Sequence, residues 1–314
     1  MTLVAVDANP VPQGPITGKL LADDGVELRY AHWRGDGRPL GTVCVFQGRA
    51  ECIEKYFEVV TELRARGFAV ATLDWRGQGG SERLLPTARK GHVDDFAGYD
   101  RDLDAFMRQI VLADCPPPFF ALGHSMGALV CLRGVRKHGR FGRLVLVSPM
   151  LGLKQSRAER HLVGLAAEAV RLAGFGDLAL PGRAAFAADI HPFLGNQHTS
   201  DPMRYERFAA ILRAAPELAV GGATFGWLSA ARRAMQEAAG AGFASAIQAP
   251  TLLLTAGEDD VVDNAACGRL ARGMRAGVEL GIAGARHEIL CERDSVRALF
   301  WAAFDAFVPG SSPV

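Results

Sequence analysis

The feature that most constrains this chain is a series of short, unbroken apolar runs separated by stretches with helical spacing. Thr42-Val43-Cys44-Val45-Phe46 is the first, and similar runs recur at 68–73, 119–122, 144–147 and 251–255. A strand that is apolar at every position has both faces covered. Helical patterns over about 54–66, 94–112 and 126–137 fall between these runs. A short strand near 278–282 and a last helix over about 289–307 close the chain. Strand and helix in alternation predict an α/β fold, with a mostly parallel central sheet flanked by helices. Two strands precede the series, around 17–21 and 26–30, and Asp23-Asp24-Gly25 reads as the hairpin turn between them.

Residues 150–245 break the rhythm, with helices and no buried strand between them. Ser156 and Glu159 have the spacing of a capping box, and that helix is expected to stop near Gly174. Ser200-Asp201-Pro202 supplies a cap and a first-turn proline for a second helix, and Thr224 caps a third. The expected organisation is a core made of 1–149 and 246–314, with 150–245 inserted as a helical cap, or lid. Leu162, Leu165, Ala169 and Leu172 make an apolar stripe in the cap. Such a stripe either packs onto the core or lines a tunnel.

Composition narrows the function. Hydrophobic residues make up 49% and charged residues 22% of the 314, and the net charge is +1. No basic stripe is present to collect phosphates, so a nucleic-acid partner is not expected. No apolar stretch reaches the ~18 residues of a membrane span. The first fifteen residues lack the basic start and apolar run of a secretory signal. Cys44, Cys52, Cys115, Cys131, Cys267 and Cys291 form no C-x-x-C pair, which argues against a zinc site or a reactive dithiol. Reduced thiols in a cytoplasmic protein are the simplest reading.

Gly123-His124-Ser125-Met126-Gly127 carries the chemistry. A serine hydroxyl is a weak nucleophile that needs a base beside it. The two glycines permit a sharp strand-to-helix turn that lifts the hydroxyl of Ser125 clear of the sheet, and here a buried strand precedes the motif and a helix follows. With that motif the partners follow in the order serine, acid, histidine. Of the eight histidines only His287 lies beyond position 198, in a loop between the last strand and the last helix. The acid falls among Glu258, Asp259 and Asp260, which spacing alone does not separate; Asp263 reads as a helix cap. A developing oxyanion needs two N–H groups. One is expected from Met126, the other from the loop Gln47-Gly48-Arg49-Ala50-Glu51.

These segments resemble the monoacylglycerol lipase and lysophospholipase branch of the α/β-hydrolases, whose core is often labelled a serine aminopeptidase-like domain. Residues 123–127 are similar to its G-H-S-M-G motif, and Asp74-Trp75-Arg76-Gly77-Gln78-Gly79-Gly80-Ser81 resembles its D-x-x-G-x-G-x-S loop. Residues 255–264 and 285–290 resemble its acid and histidine segments. The resemblance implies an α/β-hydrolase fold with Asp259 as the acid and the N–H of Arg49 as the second oxyanion donor. Many members begin that loop with His-Gly. Gln47-Gly48-Arg49 is closer to the bacterial lysophospholipase L2 type, as are Asn196-Gln197-His198-Thr199-Ser200-Asp201-Pro202 and residues 222–227.

The expected activity is hydrolysis of single-chain lipid esters through an acyl-enzyme on Ser125, without cofactor or metal, and with transient contact to a membrane surface. A small-ester or peptide hydrolase, or a non-catalytic protein on the same fold, are the alternatives. Dehalogenase and epoxide hydrolase chemistry is disfavoured, because those relatives carry an aspartate where Ser125 stands.

Overall fold

The computed structural model describes residues 2–35, 37–87, 90–181 and 193–314. Its strands are β1 Pro15–Leu21, β2 Glu27–Trp33, β3 Thr42–Phe46, β4 Ala69–Leu73, β5 Phe119–His124, β6 Arg143–Val147, β7 Thr251–Ala256 and β8 Gly277–Ile282. They form one sheet in the order β1-β2-β4-β3-β5-β6-β7-β8. The hairpin of β1 and β2 sets Leu20 opposite Leu28, and β2 runs antiparallel to β4. All other neighbours are parallel.

The main helices are α1 Phe57–Ala65, α2 Ala97–Phe106, α3 Met126–His138, α4 Arg157–Val170, α5 Pro202–Ala214, α6 Phe225–Ala238, α7 Asn264–Gly273 and α8 Asp294–Phe307. The period of two along each strand divides the apolar side chains between two layers. Val43, Val45, Val145 and Val147 pack with α1 and α8 on one face. Cys44, Phe46, Leu144 and Leu146 pack with α2, α3 and α7 on the other. This double cover is why the runs carry no polar alternation.

Three expected helices differ in their bounds; the one expected over 54–66 opens as a 3-10 turn, Ile53–Tyr56, ahead of α1. The segment expected from 94 starts as α2 at Ala97, because the Asp95 carboxylate accepts from the Ala97 N–H at 2.8 Å. The last helix is broken into a single turn, Ile289–Cys291, and then α8. Glu292 lies in the break. It is buried, and accepts from the Ser200 and Arg286 N–H groups at 2.9 and 3.0 Å.

The helices α4, α5 and α6 lie between β6 and β7, and residues 182–192 of this stretch fall outside the described residues. Their start signals form as read from sequence. Ser156 and Glu159 make the reciprocal capping box, Asp201 caps α5 ahead of Pro202, and Thr224 accepts from the Trp227 N–H at 3.1 Å. The apolar stripe is a correction. Leu162, Leu165 and Leu172 are 67%, 51% and 71% exposed, and Ala169 is exposed too, so the stripe neither packs onto the core nor lines a tunnel. The inward face of α4 is Gly164 and Ala167. A Cβ at Gly164 would sit 2.5 Å from Nε of Arg232 on α6, so the Arg232 side chain fills the space beside that glycine.

Candidate active site

Parallel strands bring their following loops to one edge of the sheet. Ser125 follows β5 with φ 50° and ψ −113°, a conformation costing a non-glycine residue ~1–3 kcal/mol. Neighbouring strand ends hold it there. The Ser125 N–H donates to the Val147 carbonyl at 3.0 Å, and the Met150 N–H donates to the Ser125 carbonyl at 3.1 Å. The flanking glycines are required by contact. A Cβ at Gly123 would lie 2.8 Å from Cα of Ala128, and one at Gly127 would lie 2.4 Å from the Phe46 carbonyl oxygen.

His287 stands in the loop after β8, and its Nε2 lies 3.0 Å from Oγ of Ser125. Its Nδ1 lies 2.9 Å from Oδ2 of Asp259. The other Asp259 oxygen accepts from the Val261 and Val262 N–H groups at 2.8 and 2.9 Å. Burial pushes the Asp259 carboxyl up, but His287 and the two N–H groups outweigh it and hold it below its ordinary value. Of the three adjacent carboxylates, Asp259 is the one in contact with His287. Glu258 is exposed, and Asp260 is exposed and paired with Lys154 at 2.6 Å. Asp263 caps α7 as expected.

Met126 opens α3 directly after Ser125 and is fully buried. Arg49 lies in the loop after β3, and the contact of Gly127 with the Phe46 and Gln47 carbonyls brings that loop against the first turn of α3. The Arg49 side chain is engaged by the inserted segment. Its Nη2 donates to the Gly221 carbonyl at 2.6 Å, and its guanidinium lies 5.1 Å from the centre of the Trp227 ring. It thereby ties the loop to the inserted helices.

The segment 196–202 has a visible structural task. The Thr199 hydroxyl donates to the Cys291 carbonyl at 2.6 Å, the Glu288 N–H donates to the His198 carbonyl at 2.7 Å, and the Arg286 guanidinium donates to the Asn196 carbonyl at 3.0 Å. Together they brace the histidine loop. The D-x-x-G-x-G-x-S loop is likewise a brace: buried Asp74 accepts from Arg29 Nε at 2.6 Å, from the Gly80 N–H at 2.7 Å and from the Ile53 N–H at 2.9 Å.

Sequence reasoning missed a buried group beside the triad. Glu51 accepts from the Gly48 N–H, from the Tyr56 hydroxyl and from Lys55 Nζ at 2.5, 2.6 and 2.8 Å. Lys55 also pairs with Glu288 at 2.7 Å. His124, within the serine motif, lies 3.3 Å from Glu51. The i,i+4 spacing of Glu51 and Lys55 was the only local signal for it.

Residues 37–294 match the family model described as serine aminopeptidase, S33. The lysophospholipase L2 of Escherichia coli (strain K12) is 34% identical over 306 residues, covering 92% of this chain and 86% of that protein. A probable lysophospholipase L2 of Haemophilus influenzae is 29% identical, over 87% of this chain and 85% of its own length. A soluble variant of monoglyceride lipase from Saccharomyces cerevisiae, solved in complex with a substrate analog, superposes with a TM-score of 0.75 over 97% of this chain and 100% of its own, at 20% identity. That likeness is one of fold, the α/β-hydrolase fold. The strand order, the serine turn and the match across the core agree, and the chain belongs to the serine aminopeptidase S33 family of α/β-hydrolases.

Proposed function

We propose that this protein hydrolyses the carboxylic ester of single-chain lipids, lysophospholipids or monoacylglycerols, through an acyl-enzyme on Ser125. The observation that carries the chemistry is the line from Ser125 Oγ to His287 Nε2 to Asp259, at 3.0 and 2.9 Å. His287 takes the Ser125 proton as Oγ attacks the acyl carbonyl, and Asp259 holds the resulting imidazolium. The N–H groups of Arg49 and Met126 receive the oxyanion. The alcohol leaves with the proton from His287, and water, deprotonated by His287, then releases the fatty acid. Oxyanion stabilisation by main-chain donors fits the packing of Gly127 on the loop after β3.

The substrate class rests on the names of the similar proteins and on an apolar groove of about 310 Å³. Leu151, Leu153, Val163, Leu228 and Met235 line it beside Arg232 and Arg269; Arg49, Ser125, Met126 and His287 do not, and Leu151 connects it to the site by following Met150, whose N–H donates to the Ser125 carbonyl. We assign the acyl chain to this groove, which α4 lines through Val163 and Gly164 and not through the leucine stripe. Residues 150–245 act as the cap, and 1–149 with 246–314 as the core. The exposed Leu162, Leu165, Leu172 and Phe175 form the face that rests transiently on a lipid surface. The six free cysteines suit a reducing compartment, the cytoplasm.

The test is a panel of lysophospholipids, monoacylglycerols and short p-nitrophenyl esters, run with wild type and Ser125→Ala. We expect lipid esters to be preferred, and Ser125→Ala to lose both turnover and labelling by a fluorophosphonate. Labelling retained in Ser125→Ala overturns the nucleophile. A preference for acetyl and butyryl esters overturns the lipid assignment and favours the small-ester alternative.

A further inference from the structure

The triad reading leaves unexplained a cluster of buried titratable side chains under the histidine loop. Glu51 joins it from the loop after β3, Lys55 and Tyr56 from the turn before α1, His124 from the end of β5, and Glu288 from the residue after His287. His124 occupies its centre. Its Nδ1 lies 3.3 Å from Oε2 of Glu51, and its Nε2 lies 3.3 Å from the main-chain oxygen of His287. The two imidazole rings are 5.0 Å apart.

Both nitrogens of His124 therefore face oxygen atoms that only accept. A neutral imidazole has one N–H, so either tautomer would turn a lone pair toward an oxygen. With the proton on Nε2 that oxygen is the Glu51 carboxylate. With the proton on Nδ1 it is the His287 carbonyl, and the histidine loop loses its bond to β5. Only the imidazolium donates to both.

The charge balance points the same way. Glu51 and Glu288 contribute two negative charges and Lys55 one positive charge, since the Lys55 ammonium bridges the two carboxylates at 2.8 and 2.7 Å. Burial pushes up the Tyr56 hydroxyl, and pushes the Cys291 thiol to about 12, so both stay neutral. His198 stands at the rim, half exposed, with its Nδ1 3.4 Å from Glu288, and burial holds it below its ordinary value. Among the buried members, Lys55 alone faces the two carboxylates unless His124 is protonated, and an unpaired buried charge is costly.

We infer that His124 is a positioning residue held as an imidazolium, bolting the His287 backbone to Glu51 and through Glu51 to the Gly48 N–H of the oxyanion loop. This rests on the reading of Ser125 and His287 as nucleophile and base. In that arrangement one side chain fixes the spacing between the base and the oxyanion donors, which must hold to a fraction of an ångström in the transition state. Burial opposes charge on His124, but Glu51 outweighs it and raises the histidine above its ordinary value. Burial also opposes charge on Glu51, and Lys55 and His124 outweigh it and keep the carboxylate ionised.

The test reads the charge state directly. Enzyme labelled with ¹⁵N at histidine is followed by NMR from pH 6 to 9, and His124→Gln assigns the resonance. We expect two ring N–H signals and imidazolium nitrogen shifts for His124 at pH 8, where a free histidine, with a pKa near ~6.5, is neutral. A neutral imidazole with one N–H at pH 8 overturns the inference, and this measurement on wild type needs no variant to be active. In kinetics, His124→Gln removes one charge-assisted bond and should lower kcat by about 10- to 100-fold with KM changed less than about two-fold. Loss through KM alone, or unchanged kcat, overturns the positioning role. Failure of the triad reading is seen separately, as labelling that survives Ser125→Ala.

Discussion

Replacing Asp259 by asparagine separates orientation of the base from stability of the loop. Oδ1 of Asp259 accepts the Val261 and Val262 N–H groups at 2.8 and 2.9 Å, and an asparagine carbonyl keeps both bonds. Oδ2, 2.9 Å from His287 Nδ1, becomes an amide nitrogen and a donor. A donor at that position forces the proton of His287 onto Nε2, which is 3.0 Å from Ser125 Oγ. The nitrogen that must take the serine proton then already carries one. The charge that stabilises the imidazolium in the transition state is lost as well. In serine triads this substitution lowers kcat by about 10⁴-fold, equivalent to ~5 kcal/mol of barrier. The assay is steady-state hydrolysis of a soluble p-nitrophenyl ester, with thermal unfolding measured in parallel. We expect Asp259→Asn to lose about that factor in kcat while its Tm moves by only a few degrees. Asp260→Asn, altering an exposed residue paired with Lys154, should retain nearly full activity. Near-wild-type turnover of Asp259→Asn, or an equal loss in Asp260→Asn, refutes the assignment.

Gly127→Ala places a methyl group 2.4 Å from the Phe46 carbonyl oxygen and 2.5 Å from that of Gln47, so it should destabilise by ~1–3 kcal/mol and lower kcat by displacing the oxyanion loop; wild-type values of both Tm and kcat would contradict this. In Leu228→Arg the apolar groove is interrupted; wild type should gain up to ~4-fold in kcat/KM per added methylene until the groove is filled, and the variant should lose that slope, whereas parallel slopes would move the acyl site elsewhere. Glu58 lies between Arg204 and Arg207 of α5, each at 2.6 Å, and Arg297 of α8. Burial raises its carboxyl, but the arginines outweigh burial and hold it at about 2, against 4.5 for a free side chain. A depressed carboxyl contributes stability in full above pH 4.5 and loses it as pH falls toward about 2. Hydrogen exchange should show α5 losing protection across that window ahead of α3, and simultaneous loss would refute the link.

The sequence was most legible where one local rule decides the outcome. The run 42–46 appears as β3 with the same bounds, because both faces of that strand are covered; its one polar side chain, Thr42, is buried and donates to the Pro116 carbonyl. Ser156, Asp201, Thr224 and Asp263 cap the helices expected of them, since a cap satisfies backbone donors within three residues of itself. The α4 stripe misled for a related reason. Spacing shows that Leu162, Leu165 and Leu172 share a face, but it does not show which way the face turns. The buried face of α4 is instead that of Gly164 and Ala167, where the Arg232 side chain of α6 packs. Choosing among Glu258, Asp259 and Asp260 likewise needed the turn after β7, which buries the middle carboxylate and exposes its neighbours.

The site divides along the same line. Gly123 and Gly127 are visible in the sequence because backbone contact there leaves no room for a side chain, and such contact excludes nineteen residue types at once. Glu51, Lys55, His124 and Glu288 meet from separate segments, and none is dictated by its immediate neighbours. Each alone reads as a loop or helix-end polar residue. Their burial becomes tolerable only when opposite charges and donors arrive together. A parallel sheet provides that meeting point, because β3, β5 and β8 deliver their following loops to the same edge. The strand–helix alternation that predicts the fold is therefore also the physical reason that Ser125, Asp259, His287 and the cluster beneath them share one place.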